Sequence, residues 1–144
     1  MNADLDLQFI DTNVLVYAYD SEAGLKHERA RQLLAALWRD ERGCVSIQVL
    51  QEFYVVVTRK IAKPLPSHVA SQIIADLGLW RVHQPHVADI LNAIDLQQRY
   101  GLSFWDAMII QSALALDCSV LWSEDLNHLQ IYHQVQVRNP FFET

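Results

Sequence analysis

Short apolar segments of strand length alternate along this chain with amphipathic stretches of helical length, and that alternation restricts the fold more than any other feature. Leu7-Gln8-Phe9-Ile10 is brief, apolar and halted by Asp11-Thr12-Asn13, which predicts a strand ending in a polar turn. From Leu25 to Arg39, Ala30, Leu33, Leu34 and Leu37 recur at helical spacing among charges. Gly43-Cys44-Val45 is a second strand candidate. Ser46 is placed to cap a helix running to about Lys60, with Leu50, Phe53, Tyr54, Val57 and Ile61 along one stripe. Pro64-Leu65-Pro66 breaks the chain, and a helix over Ser67 to Leu77 follows, with Gly78 as its stop. Trp80-Arg81-Val82 is a third strand candidate. Val87, Ile90, Leu91 and Ile94 mark another helix, closed by Tyr100-Gly101. A helix from Phe104 to about Leu116, a strand over Ser119 to Trp122 and a last alternating stretch, Ile131, His133, Val135, Val137, complete the pattern. Strands separated by helices predict an α/β three-layer sandwich around a central, mainly parallel sheet.

With 144 residues the chain is expected to form one domain, 1–144, large enough to bury a core without staples. Its longest apolar run, the six residues Val14 to Tyr19, is far short of a membrane span. The start, Met1-Asn2-Ala3-Asp4-Leu5-Asp6, is acidic where a signal peptide is basic, so a cytoplasmic location is expected. Cys44 and Cys118 form no C-x-x-C and are read as small buried hydrophobes in a reducing compartment. His83-Gln84-Pro85-His86 is read as a loop, since Pro85 denies it the helical spacing of a metal-binding pair. The four Trp and five Tyr are expected mostly in the core. A net charge of −6 excludes a simple basic coat for nucleic acid, and the absence of G-x-x-x-x-G-K-[ST] excludes a P-loop protein.

Four acids stand where solvated surface charge is not expected. Asp11 directly follows the first strand, and Asp125 lies three residues beyond Trp122. In an open parallel sheet, ligands bind beyond the carboxyl ends of the strands, so these two meet if strands one and four are neighbours. An Asx turn or helix cap at Asp11 is an equally good local reading. Ser103-Phe104-Trp105-Asp106 fits a capping box, yet Asp106 also aligns with Ile109, Ile110 and Ala113 and so is expected to face inward. Glu52 sits in a helix that is apolar nearly all round, beside Val49, Val55 and Val56, although it shares a face with Gln48. Inward-facing carboxylates without neighbouring Lys or Arg repel one another unless protonated or bound to a cation. A hard divalent ion such as Mg²⁺ or Mn²⁺ resolves this with oxygen ligands, and it suits phosphoryl-transfer or nuclease chemistry.

On these residues the sequence resembles the PIN-domain family, specifically the VapC-like toxin ribonucleases of type II toxin–antitoxin systems. The resemblance is carried in order by Phe9-Ile10-Asp11-Thr12-Asn13-Val14-Leu15-Val16-Tyr17, Leu50-Gln51-Glu52-Phe53 and Ser103-Phe104-Trp105-Asp106-Ala107, then by Leu121-Trp122-Ser123-Glu124-Asp125-Leu126 and Asn139-Pro140-Phe141. It covers almost the whole chain. It implies a five-stranded parallel sheet, a homodimer, a cognate antitoxin, and Mg²⁺- or Mn²⁺-dependent cleavage of RNA leaving a 5′-phosphate and a 3′-hydroxyl. The family's acidic positions fall on Asp11, Glu52, Asp106 and Asp125, and its small polar supporting positions on Thr12, Asn13 and Ser123. Glu124 competes with Asp125 for the fourth place, and the Ser-x-Asp pattern favours Asp125.

Neutralising those four acids would bring the net charge from −6 to −2, so RNA need not meet a uniformly acidic body. Arg59, Lys60 and Lys63 are candidate phosphate contacts, or else a favourable charge cluster at a helix end. Two other readings compete: an RNA-processing nuclease of the same family without a toxin role, and a non-catalytic signalling module with an acidic site. A receiver-type module would carry a late Lys, whereas the only lysines are Lys26, Lys60 and Lys63. A phosphatase with Asp11 as nucleophile lacks a second Asp two residues on.

Overall fold

A computed structural model describes residues 6–142; the acidic start, Met1 to Leu5, lies outside the described residues. The sheet is built around β1 (Gln8–Ile10), which pairs in parallel with β2 (Gly43–Ser46) on one side and β4 (Val120–Trp122) on the other. Beyond β2 lies β3 (Arg81–His83), and beyond β4 lies β6 (Val135–Arg138), both parallel to their neighbours. A two-residue strand, β5 (Ile131–Tyr132), closes the far edge antiparallel to β6, so the order among the described residues is β3-β2-β1-β4-β6-β5. The fold is therefore α/β with five parallel strands, as expected, plus a short antiparallel edge.

That edge departs from the sequence reading. Ile131 to Val137 is a hairpin rather than one alternating run, because His133 takes a left-handed backbone (φ 55°) and reverses the chain. Ile131 is consequently exposed, whereas Tyr132, Val135 and Val137 are buried.

The helices are α1 (Thr12–Tyr17), α2 (Leu25–Asp40), α3 (Ile47–Arg59), α4 (Ser67–Leu77), α5 (Val87–Tyr100) and α6 (Phe104–Ala115). Parallel crossovers are right-handed almost without exception. The steps β1 to β2 and β2 to β3 run one way along the sheet, which puts α1 to α4 on one face. The return from β3 to β4 puts α5 and α6 on the other. Packing agrees: α1 lies against α2 and α3, α3 against α4, and α5 against α6. The chain's direction along the sheet thus changes between β1 and β4, the place where open α/β sheets hold ligands.

Several boundaries follow from local chemistry. The Ser46 hydroxyl accepts the Val49 N–H at 3.3 Å and starts α3, and Gly101 ends α5 in the left-handed region. Gly43 is glycine for a different reason: a Cβ there would come within 2.6 Å of the Trp80 ring. The core joins Phe9, Ile10 and Leu121 of the sheet to Leu15, Phe53 and Ile110 of the helices. Among the described residues no helix is long and apolar enough to cross a membrane.

His83 is a second correction, since it is not in a loop but ends β3 and is buried. Its Nδ1 lies 2.8 Å from the Ser112 hydroxyl and its Nε2 3.3 Å from Asp89, which also accepts from the Gln111 amide at 3.0 Å. The set has the composition of a hydrolytic triad, but Ser112 is 1% exposed and out of reach of any substrate. It ties β3, α5 and α6 together. His86 only begins α5. Cys44 and Cys118 are both buried and free, and the Cys44 thiol donates to the Arg42 carbonyl at 3.9 Å.

Candidate active site

Each acid named from the sequence is carried by a different element, and all four line one cleft of about 160 Å³ at the carboxyl ends of β1 and β4. Asp11 follows β1 directly and is the N-cap of α1, its Oδ1 accepting the Thr12 N–H at 2.7 Å. The capping reading and the cleft reading therefore both describe Asp11. Its Oδ2 accepts from the Ser123 hydroxyl at 2.9 Å, which joins the end of β1 to the loop after β4. Asp125 follows in that loop, its Oδ2 held by the Asn13 amide at 2.8 Å. Glu52 comes from the middle of α3, where its Oε1 accepts from the Thr12 hydroxyl at 3.0 Å and the Gln48 amide at 3.4 Å. Thr12, Asn13 and Ser123 thus each hold one of the acids.

Asp106 stands in the first turn of α6. Ser103 supplies half of a capping box, its hydroxyl accepting the Asp106 N–H at 3.1 Å. Among the described residues the Asp106 carboxylate makes no return bond to Ser103. It opens instead onto the cleft, half-buried.

The expectation of four inward-facing acids needs correction. Asp11 alone is buried, at 7% exposed, while Glu52 and Asp125 stand exposed on the cleft wall. The helix carrying Glu52 does leave a solvent face, because Tyr54 and Val55 are exposed as well. Burial pushes the Asp11 carboxyl up to about 6 against the pull of the Thr12 N–H and the Ser123 hydroxyl, and Asp125 and Asp106 add to the rise. The Asp125 carboxyl is also raised, first by the partial desolvation of the cleft wall and then by Glu124 and Asp106, with Asn13 opposing.

Glu124 turns away from the cleft. It accepts from the Tyr17 hydroxyl at 2.9 Å and pairs with Lys26, whose ammonium lies over the Tyr17 and Phe141 rings. Sequence reasoning missed this cluster, and no local signal marks it, since Lys26 and Glu124 are 98 residues apart. The other cations divide. Arg59 and Lys60 are exposed at the end of α3, Lys60 on the face that carries Glu52, while Lys63 pairs with Glu22 at 2.8 Å. The aromatic expectation fails for tryptophan: none of the four is fully buried, and Trp105, beside Asp106 on the cleft rim, is 63% exposed.

Among the described residues no three acids stand close enough to make a ready-formed ligand shell. Their chemistry still suits a hard divalent cation, because the donors are oxygens, neighbouring acids add to the raised proton affinity of Asp11 and Asp125, and no Lys or Arg lines the cleft. A larger hollow of about 370 Å³ beside α5 and α6 has Asp95 as its only acid and offers no such set.

The comparisons with known proteins agree with the fold. The fold is similar to a toxin–antitoxin complex from Klebsiella pneumoniae, with TM-score 0.70 and 18% identity over 93% of this chain and 98% of that one. It is similar to VapC20 of Mycobacterium tuberculosis, a sarcin–ricin loop cleaving toxin, with TM-score 0.63 and 19% identity over 82% and 89% of the two chains. It is also similar to VapBC2 from Rickettsia felis, solved with a DNA fragment from its promoter, with TM-score 0.54 and 21% identity over 83% and 88%. No curated protein matches the sequence significantly. Residues 9–134 match the PIN domain, a span that holds all four acids, and the chain belongs to the PIN domain family.

Proposed function

We propose that residues 1–144 form one PIN-like domain acting in the cytoplasm as a Mg²⁺- or Mn²⁺-dependent endoribonuclease, the toxin of a toxin–antitoxin pair. The observation that carries this reading is the convergence of Asp11, Glu52, Asp106 and Asp125, from four separate elements, on one cleft at the point where the sheet changes direction. Membership in the PIN domain family and the likeness in fold to VapC toxins support it. Asp11, Asp106 and Asp125 would hold the cation, and Glu52 on the facing wall completes the set or orients the attacking water. When bound, such a cation activates water and offsets the charge that builds on a phosphodiester. The chain's own work is orientation. The Thr12 N–H and Ser123 hydroxyl fix the two Asp11 oxygens, Asn13 fixes Asp125, and the Thr12 hydroxyl fixes Glu52.

The partners follow from the same reading: RNA as substrate, a second copy of the chain, and an antitoxin that blocks the cleft. An Arg from such a partner matches the acids, since a guanidinium pairs bidentately with carboxylates. Incubation of end-labelled RNA with the purified chain tests the activity. Cleavage with Mg²⁺ or Mn²⁺, none in EDTA, and 5′-phosphate with 3′-hydroxyl ends are expected. RNA left intact with either ion, while a phosphomonoester is hydrolysed, contradicts the nuclease assignment.

A further inference from the structure

We infer that Trp105 is the platform on which a nucleobase of the RNA, next to the phosphate held at the acids, stacks and is bound. The inference rests on the nuclease reading and adds a residue to it. Trp105 occupies the second position of α6, one residue before Asp106, and lines the same cleft as the four acids. A tryptophan is large enough to be mostly buried in a folded chain, yet this one is 63% exposed. Its ring is braced edge-to-face by Phe104, at 5.1 Å between centroids and 75° between planes, so the indole is offered to solvent on a fixed support.

The electrostatics of the cleft explain why such a platform is needed. Its titratable lining residues are all acids, so the walls themselves repel a polyanion. Two cations that could offset this are already engaged, Lys26 by Glu124 and Lys63 by Glu22. Base–aromatic stacking is an uncharged source of affinity and serves single strands of any sequence. Gln48, on the facing side of the same cleft, offers an amide for the edge of the stacked base.

The test uses a labelled single-stranded oligoribonucleotide carrying one cleavage site mapped with the parent chain. Trp105→Ala should raise KM by roughly five- to a hundredfold with kcat little changed, and Trp105→Phe should restore most of the loss. An abasic nucleotide next to the scissile phosphate should cost the parent chain a similar factor and cost Trp105→Ala almost nothing more. Equal KM for parent and Trp105→Ala overturns the inference, as it would if the indole served a protein partner. Fully additive losses from the variant and the abasic site overturn it too. A parent chain that cleaves no RNA refutes the nuclease reading first, before any variant is made, and this inference with it.

Discussion

Asp11 combines three demands in one side chain: it ends a central strand, caps a helix and stands deepest in an acidic cleft. Its carboxyl is raised from 3.8 to about 6, with burial the largest cause. A raised carboxylate favours folding when protonated, so its contribution is complete below about 4 and is lost as the pH rises through about 6. For the metal-free chain, Asp11→Asn should therefore be more stable than the parent at pH 7, by up to about 3 kcal/mol. The two should converge near pH 4. Melting curves in EDTA across that range check this, and a difference that does not change with pH contradicts it. At this scale the candidate site is partly legible in the sequence. Position beyond a strand singles out Asp11 and Asp125, because strand ends are local. The exposure of Glu52 is not legible, since it depends on which side of α3 is left uncovered. The engagement of Glu124 with Lys26 and Tyr17 is a long-range contact that no spacing encodes.

Helix ends set by one residue are readable at the level of elements, as the Ser46 cap and the Gly101 stop illustrate. The short α1 is not, because its run of Val14, Leu15 and Val16 is buried and shows no polar face to betray a helical period. The β5–β6 hairpin is hidden for a similar reason, its apolar alternation continuing through a reversal at His133. The buried link from His83 to Ser112 and Asp89 ties β3 to α5 and to α6, the helix that carries Asp106. His83→Ala should leave Asp89 and Ser112 short of a partner and cost about 1–3 kcal/mol, read by chemical denaturation. A loss well under that range would make the link incidental. The end of α3 offers another test. Replacing Arg59 and Lys60 together by Gln should weaken RNA binding and flatten its salt dependence, with metal affinity unchanged, whereas Lys63, paired with Glu22, should contribute little. An unaltered salt slope would leave those cations only their role at the helix terminus.

For the whole molecule, strand–helix alternation is enough to read the α/β architecture, because it leaves few ways to bury both faces of a parallel sheet. Strand order is another matter, since pairing β1 with β4 joins segments more than 100 residues apart. That pairing makes the cleft. If the chain acts as a toxin of this family, sedimentation should return a dimer; a monomer at every concentration would remove that part of the proposal. The central claim is that acids from β1, α3, α6 and β4 form one cation site, and Asp106 separates it best from a helix-capping role. In a shared site, Asp106→Asn relieves carboxylate repulsion, so the variant should melt in EDTA at or above the parent temperature. It should also lose most of the stabilisation that Mg²⁺ gives the parent. A capping carboxylate predicts the reverse, a loss of some fraction of about 1 kcal/mol with or without Mg²⁺. Paired melting curves of parent and Asp106→Asn, in EDTA and in Mg²⁺, decide between them. An Asp106→Asn chain that melts lower in EDTA yet gains from Mg²⁺ as much as the parent would contradict the claim.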